Sequence, residues 1–110
     1  MKAMISQPMN GKSNEEIREE RKSLVDKLKQ DGIEVLDTVF DEAPKDCNEA
    51  IYYLSKSIEF IGKADVIYFM KGWEKARGCK IEHEVAAEYG KECRYVEEIC
   101  KGVIICRKKV

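Results

Sequence analysis

Two rhythms of apolar and polar residues alternate along this chain. Short apolar runs at Lys2–Ser6, Ile33–Val39, Val66–Met70, Cys93–Val96 and Val103–Cys106 read as β-strands. Val66–Met70, entered from Asp65, is apolar without alternation, as in a strand covered on both faces. Between the runs the spacing turns helical. Ser13 and Glu16 make a capping-box pair, so a helix starts at about Asn14. Its Ile17, Leu24, Val25 and Leu28 share one face, and Gly32 ends it. Asp46 and Glu49 suggest a second capped start after the irregular segment Phe40–Asp46. Ile51, Leu54, Ile58 and Ile61 form that helix's apolar stripe, with Gly62 closing it; Tyr52, Tyr53 and Ser57 then lie off the stripe. A third helix starts near Cys79, with Ile81, Val85 and Tyr89 on one face. Glu82 falls in its first turn, where free N–H groups favour negative charge. A short turn or helical piece links the last two strands.

Strands alternating with helices long enough for crossovers predict an α/β fold: a three-layer parallel sheet of about five strands, flavodoxin-like in order. At 110 residues one domain, 1–110, is expected.

Composition narrows the function classes. A net charge of −1 gives no basic field for a nucleic-acid polymer. No apolar stretch is long enough to cross a membrane, and the sequence opens without a signal-peptide pattern. The 5 cysteines are odd in number and form no CxxC pair, and one histidine leaves no standard zinc spacing. Reduced thiols in a cytoplasm follow, and neither metal nor cofactor is expected.

Candidate chemistry sits in the loops that follow strands, because open α/β sheets bind ligands at the strands' carboxyl ends. Gly11-Lys12-Ser13 between a strand and a helix invites a phosphate-loop reading. That reading fails: Ser6 occupies the leading glycine position, and Pro8 lacks an N–H the cradle needs. The loop after the third strand is richer. Gly72 and Gly78 bracket Trp73, Lys75 and Arg77, and Glu82 follows on the helix. Gly78 permits close approach of a ligand or a backbone conformation barred to other residues. Lys75, Arg77 and the helix start suit a phosphate, and Trp73 suits a base. Against this stand plain readings: solvated cations, a packed tryptophan, a capping carboxylate, and His83 as a surface or packing residue.

The order Asp65-Val-Ile-Tyr-Phe, Gly72-Trp73-Glu74-Lys75-Ala76-Arg77-Gly78-Cys79, Glu82-His83-Glu84-Val85-Ala86 and Gly90-Lys91 resembles the nucleoside 2-deoxyribosyltransferase-like superfamily. The small bacterial and phage branch is the nearest part of it. Ile5-Ser6-Gln7-Pro8-Met9-Asn10-Gly11-Lys12 resembles that branch's first strand and loop, so the likeness runs from about Met1 to Lys91. The resemblance implies the same fold and an N-glycosidase or 2-deoxyribosyltransferase acting on a nucleoside or nucleotide without a cofactor. It also implies a dimer or larger, since the resembled enzymes complete their sites from a neighbouring subunit; Trp73, Tyr52 and Tyr53 are candidates for that contact. Glu82 matches the family's nucleophile. The family's second acidic position falls here on Ser57, a departure, and Asp65 is the remaining candidate for assistance. Ser6, Gln7, Met9, Gly11, Asp37, Trp73, Arg77, Gly78, Cys79 and His83 are the implied substrate contacts. A second expectation, favoured by Ser57, is a non-catalytic nucleotide-binding protein on the same scaffold.

Overall fold

The structure, a computed structural model, describes residues 1–39, 42–100 and 103–108. Within them β1 (Lys2–Ser6), β2 (Glu34–Val35), β3 (Val66–Phe69), β4 (Glu92–Cys100) and β5 (Val103–Lys108) form a sheet in the order β2-β1-β3-β4-β5. The first four strands run parallel. The helices α1 (Asn14–Gln30), α2 (Glu49–Lys63) and α3 (Arg77–Glu88) connect them, and a 3₁₀ turn at Trp73–Lys75 precedes α3. The α/β class and the flavodoxin-like strand order stand as the pattern predicts.

Successive strand residues face opposite sides, so β1 and β3 feed two cores. Ala3, Ile5, Val66, Tyr68 and Met70 pack with Leu24 and Leu28 of α1. Met4, Ile67 and Phe69 pack on the other side with Ile61 of α2 and Ala86 of α3. That is the three-layer arrangement. The chain leaves β1 for β2 on one side and then reaches β3 on the other, so the strand order reverses at β1. The loops after β1 and β3 part at that point.

The N-terminal half of α1 follows its sequence signals closely. The Ser13 side chain accepts from the Glu16 N–H, and Glu16 reaches back to the Ser13 N–H, closing the capping box.

Several expectations need correction. β5 runs antiparallel to β4, because the two residues between them are too few for a parallel crossover. β4 continues through 97–100 to Cys100, where a turn or helical piece is expected, and residues 101–102 lie outside the described residues. β2 is only two residues long, Glu34–Val35, and residues 36–39 beyond it form no regular element, where the sequence predicts a strand to Val39. Asn48, rather than Asp46, caps α2, accepting from the Ile51 N–H at 3.0 Å. Gly62 lies inside α2 rather than ending it.

The largest correction is rotational. On α2 the buried residues are Ser57 and Ile61, while Ile51 is 65% exposed. On α3 they are Cys79, Glu82 and Ala86, while Tyr89 is 80% exposed. Both helices therefore turn a partly polar stripe inward. Tyr52, Tyr53 and Trp73, expected at a contact between copies, are half-buried within the chain; the two tyrosines meet edge to face with ring centroids 5.6 Å apart. Among the described residues, no helix is long and apolar enough to cross a membrane.

Truncation tests the rotation. Ile61→Ala should cost about 2–5 kcal/mol by creating a cavity, whereas Ile51→Ala should stay within about 0.5 kcal/mol. Urea denaturation of the two variants measures both; equal losses would mean the apolar stripe faces the core after all.

Candidate active site

Glu82 has its position because α3 begins two residues earlier than the sequence spacing suggests, at Arg77. That places Glu82 in the second turn, beyond reach of a capping role, on the face that meets the sheet. Its side chain is 7% exposed. The Ser6 hydroxyl, on the last residue of β1, donates to Glu82 Oε2 at 2.9 Å. Ser57, arriving from α2 and also buried, lies near the same carboxyl and favours its ionised form. Burial pushes the Glu82 carboxyl above its ordinary 4.5; the Ser6 hydrogen bond, the Ser57 hydroxyl and the charge of Arg21 pull it partly back. Cys79, one turn before Glu82, is buried beside it. Desolvation raises its thiol to about 11, which leaves it protonated and a poor nucleophile.

A second polar network adjoins this one from the other face of the sheet. Arg21 of α1 is 4% exposed. Its Nε donates to Gln7 Oε1 at 2.8 Å and its NH1 to Thr38 Oγ1 at 3.0 Å. Gln7 Nε2 in turn donates to the Ile17 carbonyl at 3.1 Å, and the Thr38 hydroxyl to the Ile5 carbonyl at 3.3 Å. Burial lowers the Arg21 guanidinium to about 10, with Asp37 and Glu82 pulling the other way. It therefore stays cationic at neutral pH.

Aromatic side chains wall the opposite flank. Trp73 and His83 lie with ring centroids 4.4 Å apart, and both contact Phe69 and Tyr95. His83 Nε2 and the Tyr95 hydroxyl are 2.6 Å apart. One hydrogen bond of His83 thus runs to β4.

The structure brings Ser6, Ser57, Cys79 and Glu82 together, while Gln7 turns to Arg21 on the α1 side and Trp73 and His83 pack with Phe69 and Tyr95. The two predicted loops also meet. Gly72 has φ +92°, and a Cβ there would lie 3.6 Å from the Pro8 side chain. Met9 is half-buried and Gly11 exposed in the β1–α1 loop. Arg77 is exposed at the first position of α3, whose N-cap, Ala76, provides no side-chain hydrogen bond. Gly78 is the second helical residue and has no need of an unusual conformation; a Cβ on it would meet nothing within 4 Å. Asp37 is exposed on the β2 side, paired with Arg18 at 3.4 Å.

Asp65 does not join the site. It precedes β3 at the amino end of the sheet, where its carboxylate accepts from the Lys2 N–H at 2.7 Å. Ser6 is four strand residues from Lys2, roughly 13 Å, so Asp65 serves the strand's start and cannot assist Glu82.

Arg21 and Tyr95 escaped the sequence reading, whereas Thr38, near the end of the second strand, was within it. For Arg21 a signal was present: it interrupts the buried series Ile17, Leu24 and Leu28 at helical spacing. A charge on an apolar stripe marks either a buried partner or a site. Among the described residues, no three His, Cys, Asp or Glu side chains gather as a metal-binding group.

Fold and site together define an α/β domain with a desolvated acid at the carboxyl edge of its sheet. The chain belongs to the family described as a domain of unknown function, DUF4406, which matches residues 1–95. The match ends at Tyr95, the last residue of β4 paired with β3. No curated protein matches the chain.

The buried acid makes stability depend on pH. Glu82 binds its proton more tightly folded than unfolded, so its contribution is most favourable below about 4.5 and is lost as pH rises through the raised folded value. Glu82→Gln abolishes that titration. Thermal melts across pH 4 to 8 should show the variant gaining on the wild type as pH rises; a constant difference would mean Glu82 ionises normally.

Proposed function

We propose that the protein cleaves, or exchanges, the N-glycosidic bond of a deoxynucleoside or its 5′-monophosphate, with Glu82 as nucleophile. The observation that carries this reading is a carboxyl group buried at the carboxyl end of β1 and held by the Ser6 hydroxyl at 2.9 Å. Such a group attacks best when oriented and sparsely solvated. The ionised carboxylate forms a bond to the anomeric carbon as the C–N bond breaks, and the electron pair of that bond leaves with the base. The base takes its proton from water, since the Ser57 hydroxyl is too weak an acid to supply it. Water, or a second base, then attacks the anomeric carbon and frees Glu82. Water gives a hydrolase and a base gives a transferase.

The flanks suit such a substrate. The half-buried Trp73–His83 pair offers an aromatic face for a base. Arg77 and the N–H groups at the start of α3 offer partners for a phosphate. One observation favours a binding protein instead: Ser57, facing Glu82, has no carboxyl group with which to aid departure of the base.

Glu82→Gln should lower base release from deoxynucleosides and their monophosphates at least about a thousandfold while binding persists. Chromatography of the free base and calorimetry of binding measure the two. Binding with no release by the wild type would favour the binding protein; neither binding nor release would end both readings. In an active wild type the acid limb of kcat/KM should lie above 4.5, the ordinary carboxyl value. Ser6→Ala should move that limb further up, because it removes a hydrogen bond to the ionised form. Arg77→Ala should weaken monophosphates and leave unphosphorylated substrates nearly unchanged.

A further inference from the structure

An open groove of about 260 Å³ lies between α1 and β2, on the far side of the sheet from α3, and Glu82 is not among its walls. One wall is a stripe of α1. Arg18, Arg21, Lys22 and Lys29 recur along it at helical spacing. The facing wall is β2 and the chain after it, with Val35, Leu36 and Asp37. Four cations therefore meet one carboxylate.

A basic helix face is ordinarily solvated, and part of this one is already neutralised. Arg18 pairs with Asp37 at 3.4 Å, and Lys22 with Asp26 at 3.1 Å. Two features depart from that picture. Lys29 makes no ion pair among the described residues. Arg21 is 4% exposed, and its second terminal nitrogen, NH2, has no hydrogen-bond partner among them. A buried cationic donor without an acceptor is costly, so proteins rarely keep one without a reason. Val25, Val35 and Leu36 add an apolar surface to the same groove.

We propose that the α1–β2 groove is a second binding site, for a small phosphorylated organic anion. Its phosphate lies among Arg18, Lys22 and Lys29 over Arg21, and its organic part lies against Val35 and Leu36. The site is separate from Glu82 and does not depend on the reaction assigned to that residue. Arg21 nonetheless belongs to both regions, because it also holds Gln7 and Thr38. An anion in the groove would therefore sit one side chain away from the β1 loop.

Titration calorimetry with inorganic pyrophosphate tests the charge requirement, and adenosine triphosphate tests the apolar wall. Wild type should bind pyrophosphate saturably and more weakly as salt rises, and bind the nucleotide more tightly. Lys22→Ala/Lys29→Ala, two exposed positions, should lower both affinities by about tenfold or more. Lys80→Ala, an exposed cation on α3 outside the groove, should leave pyrophosphate binding unchanged. Absence of saturable binding overturns the proposal, as does binding indifferent to the double variant. Loss on Arg77→Ala alone would place the anion beside Glu82 instead. A single-stranded oligonucleotide that binds more tightly than either probe would make the groove a nucleic-acid surface and overturn the small-molecule assignment.

Discussion

The Ser6 hydroxyl donates to the Glu82 carboxyl across 2.9 Å, and much of the polar interior is arranged around that contact. Taking a carboxylate out of water costs several kcal/mol on the order of a buried ion's penalty. The fold offsets this with the Ser6 and Ser57 hydroxyls and, further off, the Arg21 charge. Each of those groups arrives on a different element: β1, α2 and α1. The contact therefore depends on the whole crossover pattern rather than on any one loop.

The strand order explains why these elements converge. β1 lies between β2 and β3, and α1 covers one face of the sheet while α2 and α3 cover the other. Side chains from both layers can then approach one another over the end of β1. Arg21 reaches that place from the α1 side and Glu82 from the α3 side. Opposite charges in a poorly solvated space moderate each other: each pulls the other's titration toward the ionised form. A chain selected for stability alone would place apolar side chains there. A buried acid beside a buried cation is the kind of local inconsistency that marks a site.

This also explains what was legible in the sequence. β1, the capping box of α1 and the buried run of β3 were readable, because there the buried positions are apolar and the periodicity reports burial directly. The phase of α2 and α3 was not. Pattern reading assumes that the apolar stripe faces inward, so it chose Ile51, Leu54, Ile58 and Ile61 on α2 and Ile81, Val85 and Tyr89 on α3. Ile61 is buried and Val85 packs on the core, but Ile51, Ile58, Ile81 and Tyr89 are exposed. The structure buries Ser57, Cys79, Glu82 and Ala86 instead, since those helices line the polar end of the sheet. Glu82 was singled out by likeness to a family, while its burial and its second-turn position came only from the fold. Asp65 misled although it immediately precedes β3, and the amino end of a parallel strand lies away from the carboxyl ends that carry the site. The direction of β5 was available in principle: even with the fourth strand ending at Val96, the segment 97–102 is too short for a parallel crossover.

The nucleophile is tested most directly by intact-protein and peptide mass spectrometry after rapid mixing with a deoxynucleoside and acid quench. A covalent glycosyl-enzyme predicts an added deoxyribosyl mass on the peptide that contains Glu82, absent from Glu82→Gln. Free base released at the wild-type rate by Glu82→Gln, with no adduct on any peptide, would contradict the account.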